Sequence, residues 1–228
     1  MALPLPSAKP ADAGLCPDRT QRLVQTLQAD VDRGRLPGAV VLLARHGRVV
    51  LNTGVGTLDP ARDVPMTPDA IFRIYSMTKP IVSVAVMMLV EQGRLLLDDP
   101  VHKHLPAFAD QQVAQRIDGQ IRLLPVDRPA TVQDLLRHTA GLTYEFLGLS
   151  HVQRLYADAD IGARHRSNAQ FCDLLASLPL YRQPGSVWAY SRATDVLGRL
   201  IEVITGQPLG RYLQDAILRP LGMHDTGF

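Results

Sequence analysis

Cysteine is scarce: only Cys16 and Cys172 stand in a chain of 228 residues. Two thiols cannot build a disulfide framework, and neither has a second one nearby at the spacing metal sites use, so both are expected to be inert. Long apolar runs are missing too. The longest, residues 84–90 behind Ile81 and Val82, is about half of the roughly 20 residues a membrane-spanning helix needs. The first ten residues hold three prolines and no apolar core of signal-peptide length, so a cytoplasmic protein without membrane contact is expected. No block of like charge occurs either. Lysine and arginine number 24 against 22 aspartates and glutamates, a net charge of +2 with both signs interspersed, which leaves no basic stripe to follow a nucleic acid. Only Lys9, Lys79 and Lys103 are lysines, and codon usage accounts for the arginine excess. What is present is ample apolar content, 46% hydrophobic against 20% charged, with 17 glycines and 17 prolines. That composition excludes disorder as the main state and permits a sizeable core.

Several chemistries also lack their signatures. There is no Gly-x-Ser-x-Gly elbow, no phosphate-binding loop ending in Lys-Ser/Thr, no His-Glu-x-x-His, and Gly54-Val55-Gly56 lacks a third glycine. His102 and His104 have no third ligand near them and read as surface histidines. Asp225-Thr226-Gly227 spells half of an aspartic-protease site, but a proton-sharing pair needs a second copy and none exists. Neither a metal nor a cofactor is expected.

Periodicity then outlines the elements. Residues 1–14, rich in proline and alanine, read as a flexible tail. Leu23, Leu27 and Val31 predict an amphipathic helix over 18–33. Two β-favouring runs, 39–44 and 48–53, flank His46-Gly47 as a hairpin. An apolar helix is expected over 77–92 with Pro80 in its first turn, where the missing N–H does no harm. Strand patterns look scarce from 95 to 168, where the one helix expected is 132–137, capped by Thr131. Further helices are expected over 169–178, 192–205 and 209–218. One hairpin followed by many helices argues α+β.

The informative constellation is Ser76-Met77-Thr78-Lys79. Positions i and i+3 share a helix face, so this spacing sets a hydroxyl beside an ammonium at a helix N-terminus. Such a lysine, partly buried near the positive end of the helix dipole, is expected to have a lowered pKa and to take or relay the serine proton. The backbone N–H of Ser76 would face a developing oxyanion.

The surroundings resemble the serine β-lactamase-like superfamily, which includes penicillin-binding proteins, class C β-lactamases and family VIII carboxylesterases. Phe72-Arg73-Ile74-Tyr75-Ser76-Met77-Thr78-Lys79 is similar to its nucleophile segment, and Gly93-Arg94-Leu95 with Leu97-Asp98-Asp99-Pro100-Val101 to the exit from its nucleophile helix. His138-Thr139-Ala140-Gly141-Leu142 is similar to its His-Thr-Ser-Gly-Leu stretch. Trp188-Ala189-Tyr190-Ser191 and Leu221-Gly222-Met223 also have counterparts there. The resemblance implies a β-lactamase/transpeptidase-like α+β fold, here with an incomplete antiparallel sheet flanked by helices. It makes 15–228 the N-terminal portion of one such domain, with a sheet and nucleophile-helix part over about 15–100 and a helical region over about 101–205. It places Tyr190 on the tyrosine of the family's Tyr-x-Asn motif, where it trades protons with Ser76; a phenol ionises near neutral pH only beside a cation such as Lys79. His138 takes a structural place in a turn.

Two departures follow from the same comparison. Arg192 stands where the motif has Asn, so Arg192 becomes the substrate-binding candidate and β-lactam or D-Ala-D-Ala chemistry loses ground to a carboxylesterase acting on small esters. The third motif, Lys-Thr-Gly or a variant, is not found before Phe228, which suggests a C-terminally truncated chain that alone is inactive and poorly soluble. The expected partner is a small ester or amide. A degenerate, non-catalytic binding module is the competing expectation.

Overall fold

The structure, a computed structural model, describes residues 5–228, so residues 1–4 of the expected tail lie outside the described residues. Two compact units divide at Arg73 and Ile74.

In the first unit, helix α1 (Pro17–Asp32) starts with proline at its first position, where a missing N–H costs nothing, and stops before Gly34 at φ 68°. Strands β1 (Gly38–Arg45) and β2 (Arg48–Asp59) pair antiparallel with Val41 opposite Thr53. His46 and Gly47, at φ 51° and 69°, make the doubly left-handed turn that matches strand twist. β2 outruns the expected hairpin, and its far end pairs with the short β3 (Val64–Pro65). The flexible tail expected over 1–14 is corrected from Pro6 onward: Ala8 N–H donates to Val49 O at 2.9 Å and Val49 N–H to Pro6 O at 2.9 Å. A 3-10 turn, Ala11–Ala13, follows, and Arg45 donates to Gly14 O at 2.7 Å. Prolines that forbid a helix still leave carbonyls to pair with a free strand edge.

The second unit is mostly helical. α2 (Thr78–Glu91) turns Val82, Ala85, Val86 and Leu89 inward, and α6 (Ala193–Thr205) buries Val196, Leu197, Leu200 and Ile201 in the same core. Each valine, leucine and isoleucine among them contributes about 1.5–3 kcal/mol by leaving water. α2 packs on α6 and on α7 (Leu209–Leu213), which runs into a π-helical turn, Gln214–Leu218. α6 closes at Gly206, whose φ of 70° only glycine adopts without cost. Three short helices carry capping boxes: α3 (Val132–Leu136) on Thr131 and Asp134, α4 (His151–Asp158) on Ser150 and Gln153, and α5 (Asn168–Ala176) on Ser167 and Gln170.

Two elements of this unit correct the expectation of a strand-poor region. β4 (Gln112–Ile117) and β5 (Gln120–Pro125) form a hairpin about Asp118-Gly119, both at positive φ, and α4 occupies what reads as loop. The hairpin lacks clean alternation because Val113 and Ala114 are buried in succession, and Val113 bridges to Leu180. His104 is likewise no plain surface residue, since its ring nitrogen lies 3.1 Å from the buried Asp99 carboxylate.

Candidate active site

Ser76 sits on a 3-10 turn, Tyr75–Met77, that leads into α2. Tyr75 just before it holds φ at 44°, a left-handed conformation that aromatic residues rarely adopt and that costs on the order of 1–3 kcal/mol. The turn leaves Ser76 exposed, with Lys79 one helical turn on. Lys79 Nζ donates to Ser76 Oγ at 3.2 Å. Tyr190, which lies between the 180–189 segment and α6, donates its hydroxyl to the same oxygen at 2.5 Å. Three side chains separated by up to 114 positions thus meet at one oxygen.

The segment bearing Tyr190 is tied to the 138–141 turn. Tyr181 N–H donates to Gly141 O at 2.7 Å, Gly185 N–H to Thr139 O at 2.7 Å, and Ala189 N–H to His138 O at 2.9 Å. Gly141, at φ 81°, has no room for a side chain, because a Cβ there would lie 2.2 Å from Arg182 O. The turn is anchored through Asp134, which accepts from Thr139 Oγ1 at 2.8 Å, from Arg128 Nη1 and Nη2, and from Thr131 N–H.

The electrostatics around Ser76 differ from the expectation for Lys79. Burial alone pulls the ammonium pKa down, but the phenols of Tyr190 and Tyr144 outweigh it and the net direction is up. Hydrogen bonding to Lys79 and Ser76 pulls the Tyr190 pKa down. The helix-dipole argument on which a lowered lysine rests is therefore outweighed by two tyrosines from elsewhere in the chain. Lys79 stays a cation, and Tyr190 is the group biased toward its anion. Burial, then the Lys79 charge, lowers the pKa of His138. Its Nδ1 lies 3.1 Å from Ser191 Oγ, its φ is 56°, and its ring centroid is 5.0 Å from that of Tyr190.

Arg192 does not stand free to meet a substrate. Its guanidinium pairs with Glu145 through Nη2 and, at 3.3 Å, through Nε, and its Cζ lies 4.8 Å from the Tyr144 ring centroid. Sequence reasoning missed Tyr144 and Glu145, which follow the His138–Leu142 stretch after Thr143. Tyr144 packs against Tyr190 with centroids 5.3 Å apart, and the Lys79 ammonium is 5.7 Å from its centre. Asp195 was missed as well. Burial raises its carboxyl pKa, and it lines a cavity of about 250 Å³ with Lys79, Tyr144, Asn168 and Leu209. Among the described residues no group of three or more His, Cys, Asp or Glu side chains is placed to hold a metal ion.

A hydroxyl that shares its oxygen with an ammonium and a phenol biased toward ionisation is set up for nucleophilic attack. A family model described as Beta-lactamase matches residues 22–228. Esterase EstB of Burkholderia gladioli is 42% identical over 196 residues, which cover 85% of this chain and 47% of that esterase. Protein Rv1367c of Mycobacterium tuberculosis (strain ATCC 25618 / H37Rv) is 37% identical over 198 residues, covering 86% of this chain and 49% of that protein. The solved structure of EstCE1, a hydrolase with promiscuous acyltransferase activity, is similar with a TM-score of 0.78 and 35% identity, over 89% of this chain and 51% of that one. The chain spans about half the length of the curated relatives it matches.

Proposed function

This chain belongs to the Beta-lactamase family and has its α+β β-lactamase/transpeptidase-like fold, and from that premise we propose a serine hydrolase that cleaves small carboxylic esters through an acyl-enzyme on Ser76. The observation that carries the reading is the convergence of the Tyr190 hydroxyl, at 2.5 Å, and the Lys79 ammonium, at 3.2 Å, on Ser76 Oγ. Tyr190 as phenolate, held by the Lys79 cation, takes the proton from Ser76 as Oγ attacks the ester carbonyl. The Ser76 N–H faces the oxyanion of the tetrahedral intermediate. Collapse breaks the carbonyl–alkoxide bond, and the leaving alcohol takes the proton from Tyr190. Water then attacks the acyl-enzyme by the same route, with Tyr190 first as base and then as donor to Ser76. His138 hydrogen-bonds Ser191 through its ring and accepts from Ala189 N–H through its carbonyl, so it supports the Tyr190 segment.

Two observations favour esters over β-lactams. The similarity to an esterase is one. The other is Arg192, engaged by Glu145 at the position where the family resemblance has an amide side chain. The full-length protein is expected to turn over short p-nitrophenyl esters and not nitrocefin. A fluorophosphonate probe is expected to label the protein at Ser76 and to leave Ser76→Ala unlabelled with its fold intact. A folded protein that the probe ignores would be a binding module instead, and rapid nitrocefin cleavage without ester turnover would reverse the ranking.

A further inference from the structure

We propose that Glu145 and Arg192 form a positioning pair that holds the Tyr144 phenol against Lys79 and Tyr190, and so keeps the proton-handling groups in register on Ser76. The proposal rests on the hydrolase reading for its consequence, and on geometry for its substance.

The pair is built in. Arg192 and Glu145 side chains are 17% and 20% exposed, so their charges meet largely away from water, where an unpaired one would be costly. Gly162 closes the space beside them. A Cβ there would lie 3.0 Å from Arg192 Nη2 and 3.0 Å from Glu145 Oε1, so the absence of a side chain lets the backbone pack on the pair. Arg192 N–H also donates to Thr143 O at 3.4 Å, which ties the start of α6 to the residue before Tyr144.

The pair presents one thing toward the site, the guanidinium against the Tyr144 ring, and the π face of that ring attracts cations. Tyr144 in turn reaches both proton-handling groups, Lys79 and Tyr190. The geometry is a chain of contacts from Glu145 through Arg192 and Tyr144 to Lys79. Glu145 neutralises Arg192, so a second cation can stand near Lys79 without repelling it. Burial raises the Tyr144 pKa, which keeps its hydroxyl protonated beside Lys79.

Positioning and a plain charge effect predict different signs. The groups facing the Tyr190 phenol are Ser76 and Lys79 from the nucleophile turn and α2, His138 and Tyr144 from the turn before α4, Trp188 from its own segment, and Asp195 from α6. Were only charge at work, Glu145→Gln would leave an extra cation and lower the Tyr190 pKa, whereas Arg192→Met would leave an extra anion and raise it. Loss of positioning frees Tyr144 and then Lys79, so both variants raise it.

The test is a near-UV titration of phenol ionisation on the folded protein, read beside the rate of fluorophosphonate labelling. The parent is expected to show one phenol ionising below the ordinary tyrosine value of about 10, absent in Tyr190→Phe. Glu145→Gln, Arg192→Met and Tyr144→Phe should each move that phenol upward. Tyr144→Phe added to either of the others should move it no further. Labelling should slow by roughly 10- to 100-fold, the scale expected when a reacting group is misplaced by about an ångström. Arg192→Lys should recover part of the rate. Should a charge variant fail to fold, Gly162→Ala pushes a methyl against the pair and is expected to act in the same direction. Opposite shifts in the two charge variants, an unmoved phenol, or a parent without any low-titrating phenol would overturn the positioning role. Upward shifts in the variants, with a parent that neither labels nor hydrolyses esters, would leave the pair standing and remove the hydrolase reading alone.

Discussion

The Lys79 ammonium lies 4.7 Å from the centroid of the Tyr190 ring, and both residues hydrogen-bond the same oxygen of Ser76. Cation and phenol therefore stabilise each other's working form. The Tyr190 pKa is lowered and the Lys79 pKa raised, so under the proposed mechanism the Ser76 labelling rate has two limbs. It falls as pH drops through the Tyr190 value, where the phenolate is lost. It falls again as pH rises through the Lys79 value, where the cation is lost. Lys79→Met should carry the acidic limb upward toward the ordinary phenol range and cut the rate at neutral pH by about 10²–10⁴-fold. A pH–rate profile of the variant with an unchanged acidic limb would contradict this.

Acid should loosen the second unit in a defined window. Burial alone would raise the carboxyl pKa of Asp134, but Arg128 and the Thr131 and Thr139 donors bring it down to about 2. Asp99 behaves alike: burial opposes its charge, and Lys103, His104 and the Leu96 N–H bring it down to about 2. A carboxylate depressed in the folded state contributes stability fully above the unfolded value near 3.8 and loses it as pH falls toward 2. Denaturation midpoints measured from pH 5 to pH 2 should drop across that interval. Asp134→Ala, which leaves Arg128 and the threonine donors without their acceptor, should cost about 3 kcal/mol at neutral pH and flatten the dependence.

Gly141→Ala should be among the most disruptive single-methyl additions in this unit. The residue is at φ 81°, and the new Cβ would sit 2.2 Å from a backbone oxygen that cannot rotate away. A loss of about 3 kcal/mol or more in chemical denaturation is expected, with Ser76 labelling reduced because Tyr190 is carried by the segment this turn holds. A melting curve superimposable on the parent's would refute the close packing of Gly141 on Arg182.

Tyr75 offers the opposite case. Its side chain is 76% exposed while its backbone is left-handed, so the residue contributes strain and little burial. Tyr75→Gly should leave stability equal or raise it by up to about 1 kcal/mol, and Tyr75→Val should lower it, since a β-branched residue fits positive φ worst. Thermal melts of the two variants provide the check, with Tyr75→Gly expected at or above the parent and Tyr75→Val below it.

Local signals carried much of this architecture. Period and punctuation gave α1 and α6 to within about two residues, and the i, i+3 spacing of Ser76 and Lys79 placed hydroxyl and ammonium together. The β4–β5 hairpin was announced by Asp118-Gly119, a turn dipeptide that prefers the left-handed pair it adopts, but burial of Val113 and Ala114 on both faces hid the alternation. Tyr144 and Glu145 were illegible for another reason. Their partners are 65 and 47 positions away, at Lys79 and Arg192, and no pattern along the chain encodes a contact made only after folding. The sign of the Lys79 shift went astray on the same ground, because two phenols brought in by tertiary structure decide it.

The backbone that bears Tyr190 is riveted at three points, Tyr181, Gly185 and Ala189, to the turn from His138 to Gly141, and its start at Leu180 is laid against Val113. Mechanically this is a clamped beam. The phenol can swing about its own side-chain bonds, but the backbone beneath it cannot retreat from Ser76 without tearing the turn away from Asp134 as well. The amides of 181, 185 and 189 should therefore open to hydrogen exchange together, at the pace of the turn, and the reach of Tyr190 is set by a structure stiffer than an ordinary surface loop.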